Sequence, residues 1–406
     1  MKDSLKSRKD AGLLLAPVLY EFCCRLWYLA AVFSPENEAL LFMARGGLRL
    51  QYLFELFLKI NKLEMPIRRF PFWVSRFAAV KMTFGENRET AVNSLVREFS
   101  AGNCRDLASA LLPEPLYPNK AELLASLPAE LAEAPVDREN VLRLLSGTSP
   151  FSEALRTHFR EQHDIGGSVI EKQFGTFRTL HLVDTGWYGS ILGSLQAGFP
   201  TRRWDGLFFG RWNYRGEVPP YFADINGLMI DAVGLECRDA VDVFLEYHHL
   251  IEAVLEPELP SVEYYLPDGS CNAMLPDREE RIAGGETDDL WSGVKEYFRQ
   301  GHPVKLHECT AATRSVLKHW KRLLRYPSPR EARLLEVPPR SADFGKGQCT
   351  GVFALPDEPG LYARWRSIRH SLWPPGCIAV SSKHAVRLQQ LFWHLTKKAG
   401  LYRGAV

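Results

Sequence analysis

Residues Val183–Leu195 read VDTGWYGSILGSL, and the fold turns on what this stretch is. It follows Leu180-His181-Leu182, so an apolar run ends in a single acid, Asp184. A glycine-interrupted turn comes next, then an apolar segment of small residues. That order is the pattern of a strand feeding a loop that opens a helix. The same order occurs earlier. Ala39 to Met43 is an apolar run of strand length, and Ala44-Arg45-Gly46-Gly47 is a tight turn. Leu48, Leu50, Leu53, Phe54, Phe57 and Leu58 then recur at helical spacing. A third strand is expected in FPFWVS, ending at Ser75-Arg76, and a fourth in RWDGLFFGRW. Residues 12 to 33 read as a buried helix, and DAVDVFLEYHHLIEAVL reads as another.

Strands alternating with helices predict an α/β fold with a mainly parallel sheet of Rossmann-like type. In such sheets ligands sit beyond the carboxyl ends of strands, where the strand order switches direction. The turns at Arg45, Ser75 and Asp184 all fall at such ends. Residues 86–163 carry amphipathic helical patterns separated by prolines and read as a helical insertion or cap. From about Pro257 the character changes: ELPSVEYYLPDGS looks hairpin-like, and the tail is rich in Arg, Trp and Pro. The expected division is 1–256 as a catalytic core and 257–406 as an accessory region for acceptor or membrane contacts.

Composition narrows the class. The chain has 406 residues, and 50 Lys+Arg against 48 Asp+Glu leave a formal charge of +2. That balance argues against a dedicated nucleic-acid binder. Eight cysteines without C-x-x-C spacing suit buried free thiols in a reducing compartment. Lys2, Lys6, Arg8 and Lys9 precede an apolar run, but Glu21 and Arg25 interrupt it, which argues against a secretory signal or a spanning helix. A cytoplasmic location is expected.

The loops suggest a ligand. At the start of a helix, backbone N–H groups lack partners and carry partial positive charge. Gly186 and Gly189 would let an anion approach them, and Ser190 adds a hydroxyl. Asp184 suits sugar hydroxyls or Mg²⁺ rather than a phosphate. Arg45-Gly46-Gly47 offers a guanidinium and exposed amides for a second phosphate group, and Arg76 offers a third anion contact. The competing interpretations are a strand–helix turn with a capping Asp, a solvated Arg, and a surface salt bridge. For a general base the candidates are Asp184, Asp205 and Glu252. His248 and His249 are adjacent, so on a helix they are expected to point apart, which argues against a metal role for the pair.

LLFMARGGL followed by VDTGWYGSILGSL resembles the two signature loops of type I phosphoribosyltransferases. More specifically, LAPVLYEFCCRLWYL, LLFMARGGLRLQ, WVSR, LVDTGWYGSILGSL, GLFFGR and ELPSVEYY resemble, in order, a module of bacterial surface-polysaccharide ribofuranosyltransferases. That module often lies C-terminal to a HAD-type phosphatase domain. The resemblance covers roughly residues 13 to 300. It implies transfer of ribofuranose 5-phosphate from phosphoribosyl pyrophosphate to a glycan hydroxyl, with Mg²⁺, in O-antigen or capsule synthesis. On that chemistry the expected catalytic residues are Asp184, Arg45, Arg76 and Glu252, with Asp184 also on the metal. Donor contacts would come from Gly46, Gly47, Ser75, Thr185, Gly186, Trp187, Tyr188, Gly189 and Ser190. The implied partners are a lipid-linked acceptor and a separate phosphatase. Two departures stand out. A lone acid ends the strand where the family usually has two, and Gly46 follows Arg45 where the module often has an acid. A HAD-type phosphatase using Asp184 would need a second acid at position 186, which is glycine. A non-catalytic carbohydrate-binding protein is the other alternative. Finally, HWKRLLRY and RWRSIRHSLWPPG interleave cations with aromatic rings, a pattern that suits a membrane surface, with Arg364, Arg366 and Arg369 as contacts.

Overall fold

The structure is a computed structural model. It describes residues 5–394 apart from 100–101, 214–217, 233–239, 286–288, 342–348, 354–365, 369, 382–386 and 393. A five-stranded parallel sheet lies at its centre: β1 (Glu38–Met43), β2 (Arg68–Phe72), β3 (Thr179–Trp187), β4 (Arg203–Trp212) and β5 (Ile225–Ala232), in the spatial order 2-1-3-4-5. The near-continuous apolar runs of β1, β3 and β4 follow from this, because a parallel sheet is covered on both faces. Alternation along β1 divides the two faces. Leu40 and Phe42 enter one core cluster, and Ala39, Leu41 and Met43 enter the other. β2 lies at an edge, which accommodates Pro71.

On the first face pack α1 (Arg8–Ala30), α2 (Gly46–Asn61), α11 (His248–Leu255), α13 (Leu290–Gln300) and α14 (Leu306–Arg325). On the second lie α3 (Arg76–Thr83), α9 (Pro150–Phe174) and α10 (Ser190–Gly198). The helical insertion is present between β2 and β3. It comprises α4 (Arg88–Glu98), α5 (Cys104–Leu111), α6 (Lys120–Ala125), α7 (Ala129–Ala132), α8 (Arg138–Ser146) and α9, with an apolar cluster of its own that includes Leu95, Leu107, Leu144 and Phe159.

Several expectations are corrected here. β5 was not anticipated, because Asn226, Gly227 and Asp231 dilute its apolar pattern. β3 does not stop at Asp184 but continues to Trp187, so the turn into α10 is only Tyr188 and Gly189. ELPSVEYYLPDGS forms no strands, and only an isolated bridge joins Tyr265 to Cys271. The expected helix around Glu246 is a 3₁₀ segment, Ala240–Tyr247, before α11 begins.

The packing does not break at 256/257. α1 is held between α13 and α14: a Cβ on Gly12 would lie 2.0 Å from the Leu290 carbonyl oxygen, and one on Gly293 would lie 2.1 Å from that of Lys9. Trp320 of α14 donates to the Leu14 carbonyl (3.1 Å), and Thr310 to Glu21 (2.7 Å), which also pairs with Arg25 (2.6 Å). The charges inside α1 are thereby partnered in the core. By length and composition α1 could cross a membrane, yet two-thirds of its most apolar stretch is buried inside the protein.

HWKRLLRY belongs to α14, and its apolar side chains Trp320, Leu323 and Leu324 are buried. Arg322 pairs with Glu331 and Arg325 with Glu246. Trp373 is also buried, stacked on Tyr247 at 4.6 Å. These rings are therefore core rings and not interfacial ones. Arg364 and Arg369 lie outside the described residues, while Arg366 is exposed. The described cysteines, Cys23, Cys24, Cys104, Cys271, Cys309 and Cys377, are free and buried.

Gly186 tests the strand extension. Its φ is +115°, and a Cβ there would sit 2.0 Å from the Gly210 carbonyl oxygen of β4. Gly186→Ala should cost about 3 kcal/mol or more, by strain and overpacking together. Gly167→Ala in α9, where the nearest atom is 3.4 Å away, should be neutral or slightly stabilising. Thermal unfolding of the two variants distinguishes this from a loop glycine at 186, for which both changes would be mild.

Candidate functional site

The strand order reverses between β1 and β3, since the chain goes from β1 to β2 on one side and returns with β3 on the other. The crevice of an open parallel sheet lies at that point, outside the carboxyl ends. Two of the expected loops meet there. A Cβ on Gly46 would lie 3.0 Å from Thr185 Cγ2 and 3.2 Å from Asp184 Oδ1, and one on Gly47 would lie 2.6 Å from the Val183 carbonyl oxygen. Only glycine lets the turn after β1 lie this close to β3. The backbone N–H groups of Thr185 and Gly47 face the Asp184 carboxyl and favour its charged form. The peptide bonds Ala44–Arg45 and Gly186–Trp187 are cis.

Asp184 is half-buried as a residue, but protein surrounds its carboxyl group. Burial pushes that carboxyl up from 3.8 to about 8; the charges of Glu256 and Glu252 push the same way, against the Thr185 and Gly47 amides. These two acids project from the α11 side, four residues apart and so on one helix face. Glu256 pairs with Arg45 at 3.0 Å, and Arg45 also donates to the Leu259 carbonyl (3.3 Å). One turn further along α2, Arg49 donates to the Val254 carbonyl (2.7 Å) and stacks over Trp291. Burial lowers the Arg49 guanidinium to about 10, opposed by Asp289, Glu258 and Glu256.

Glu252 accepts from Trp187 Nε1 (3.0 Å), and its other oxygen lies 3.0 Å from His249 Nδ1. Both oxygens are thus engaged, which argues against a free base at that position. Asp205 lies at the amino-terminal half of β4, opposite His181 and at 3.6 Å from its Nδ1. It is upstream of Phe208, the residue that pairs with Asp184, and so on the wrong side of the sheet for the crevice.

The turn after β2 is used by its own structure. Ser75 caps α3 by accepting from the Ala78 N–H, and its hydroxyl donates to the Val262 carbonyl. Arg76 pairs with Glu98 of the insertion (2.8 Å) and stays partly exposed. Of the second loop, Gly189 and Ser190 do sit at the start of α10, with Gly189 at φ +80° as its N-cap. A Cβ on Gly189 would be 2.2 Å from Ile225 Cδ1, so packing as well as backbone conformation requires glycine there. Gly186 is within the strand, and Tyr188 is buried against Tyr221 and Phe222.

The structure therefore brings together Arg45, Gly46, Gly47, Asp184, Thr185, Trp187 and Glu252, and leaves Arg76, Ser75 and Asp205 engaged elsewhere. Glu256 and Arg49 were missed. The four-residue spacings Glu252–Glu256 and Arg45–Arg49 were visible signals of paired faces. No protein-family model matches this chain, and no curated protein sequence matches it.

The raised Asp184 acid has a consequence for stability. The folded protein keeps a proton that the unfolded chain releases between pH 3.8 and about 8. Stability contributed by this group is therefore lost as pH rises through that window. Asp184→Asn removes the ionisation and keeps an acceptor oxygen for the two amides. The variant should melt above the wild type by on the order of a few degrees at pH 8, with a smaller difference at pH 5. Differential scanning calorimetry at both pH values checks this. An equal or larger advantage at pH 5 would contradict the buried-acid assignment.

Proposed function

We propose that this protein is a glycosyltransferase. It would move ribofuranose 5-phosphate from phosphoribosyl pyrophosphate to a glycan hydroxyl, with inversion, in bacterial O-antigen or capsule synthesis. One observation carries the reading: the Arg45-Gly46-Gly47 turn and the Asp184–Thr185 strand end meet at the switch point of a 2-1-3-4-5 parallel sheet. A basic, glycine-rich turn against a buried acid suits a diphosphate beside a sugar. The resemblance of these two loops to the phosphoribosyltransferase signatures supports the same assignment.

In this reading Arg45 exchanges Glu256 for the diphosphate, and the backbone of Gly46 and Gly47 lines its approach. Ser190 and the first turn of α10 take the 5-phosphate. Asp184 faces the ribose. The acceptor oxygen attacks the anomeric carbon opposite the diphosphate. The carbon–oxygen bond to the diphosphate breaks, and its electron pair leaves with that group. The acceptor proton goes to Asp184, whose pKa of about 8 suits a base near neutral pH. In an alternative role, in place of the base, Asp184 would hold Mg²⁺, a dication that offsets a buried carboxyl among Glu252 and Glu256, and the acceptor proton would then pass to solvent. Bound there with the donor's own phosphates, Mg²⁺ would neutralise charge on the leaving group.

Transfer is tested by incubating the protein with phosphoribosyl pyrophosphate, Mg²⁺ and candidate glycan acceptors, then following pyrophosphate release and a phosphopentose-bearing product. Asp184→Asn should stay folded and lose on the order of 10²-fold or more in rate. Near-normal transfer by the folded variant would remove Asp184 from the chemistry. For the phosphate end, Ser190→Ala is a cleaner probe than a change at Gly189, which would clash with Ile225. It should weaken donor binding on the order of 10-fold, as a lost hydrogen bond to a charged group does, and leave acceptor binding unchanged. Donor binding without turnover on any acceptor would favour a non-catalytic carbohydrate-binding role.

The proposal includes a lipid-linked acceptor, a separate phosphatase for the 5-phosphate, and a cytoplasmic location with peripheral contact at the inner face of the membrane. With Trp320 and Trp373 in the core, neither of these two rings would take part in that contact, and exposed cations such as Arg366 would carry it. Sedimentation with anionic liposomes at low salt, reversed as salt rises, is the expected outcome. Indifference to such liposomes at low salt would remove the membrane component.

A further inference from the structure

We propose a zinc-class divalent metal site at His248, His249 and Glu252. The observation that motivates it was not expected from the sequence. Adjacent residues on a regular helix point apart, but here the chain changes from 3₁₀ to α-helix at Tyr247/His248. The two imidazoles come to lie on the same side, with ring centroids 3.9 Å apart. Glu252 sits one turn later on α11 and faces them. One donor atom from each of the three residues lies within 4.8 Å of the other two. Ligands at 2.0–2.1 Å around a tetrahedral ion are about 3.4 Å apart, so small side-chain movements close the set.

The donor chemistry selects the metal. Two imidazole nitrogens and one carboxylate favour zinc and its borderline neighbours over Mg²⁺, which prefers oxygen ligands. Three protein ligands leave a fourth position for water or a substrate oxygen, the arrangement of catalytic rather than structural zinc. The surroundings resemble a supporting shell. Trp187 Nε1 donates to Glu252 at 3.0 Å and orients that carboxylate. The rings of Trp187 and Trp212 approach His248 edge-on at 5.5 and 5.7 Å. Trp187 is the last residue of β3, three positions past Asp184, so the site lies on the same edge of the sheet as the crevice. The inference does not depend on the identity of the sugar donor.

The test uses the full chain, stripped with a chelator and titrated with Zn²⁺ against a chromogenic competitor, then with Co²⁺. We expect one equivalent bound, and a Co²⁺ spectrum of a four- or five-coordinate nitrogen–oxygen site without a thiolate charge-transfer band. The double variant His248→Ala, His249→Ala should lose that equivalent. Trp187→Phe, which keeps a ring but removes the donor to Glu252, should weaken binding on the order of 10–100-fold. Three results would each overturn the proposal: no stoichiometric binding by the wild type, a thiolate band in the Co²⁺ spectrum, or undiminished binding by the folded double variant. If the double variant does not fold, the wild-type Co²⁺ spectrum and the Trp187→Phe titration decide the matter.

Discussion

The structure depends on how closely the turn after β1 can approach the end of β3. Gly47 has no room for a side chain against the Val183 carbonyl, and Gly46 has almost none against Asp184 and Thr185. That approach brings the Gly47 amide up to the Asp184 carboxyl and encloses an acid that also feels the negative charges of Glu256 and Glu252. Larger residues at 46 and 47 would push α2 away from the sheet and open the crevice to water. The acid would then revert towards its ordinary pKa. The same contact therefore sets both the packing of α2 and the protonation state of Asp184.

Around this point the protein spends charge carefully. Arg45 precedes α2 as its N-cap and Arg49 sits in its first turn, while Glu252 lies within α11 and Glu256 follows it as the C-cap. Arg45 reaches across to Glu256, while Arg49 donates to the Val254 carbonyl in the last turn of α11 and to the Ile282 carbonyl in the short helix Arg278–Ala283. The crevice wall is thus built by a helix near residue 50 and a helix near residue 250. It is buttressed by α13, which packs through Gly293 on α1. Chain segments on both sides of residue 257 are needed to hold it, which explains why the sharp change in composition there marks no break in the core.

The parts of the fold that were legible in the sequence are those fixed by local pattern. β1, α2 and β4 announce themselves by apolar runs or helical periodicity, and the insertion by prolines between amphipathic helices. The meeting of the Arg45 and Asp184 turns was foreseeable only as a general rule about carboxyl ends of strands, and the strand order made it specific. What was not legible depended on partners distant in sequence. Gly186 looked like a loop glycine but belongs to a strand, because its conformation is set by Gly210 across the β3–β4 pair. His248 and His249 were expected to diverge, and a change of helix type brought them together. The cation-rich tail looked interfacial, but Trp320 and Trp373 found partners in α1 and in Tyr247.

The most direct measurement is a crystal structure of the protein with phosphoribosyl pyrophosphate and Mg²⁺ bound. The account predicts the diphosphate against Arg45, Gly46 and Gly47, with Arg45 released from Glu256, the ribose hydroxyls beside Asp184, and the 5-phosphate at Ser190. Donor seated anywhere other than the β1–β3 crevice, or a crevice without donor at saturating concentration, would contradict it.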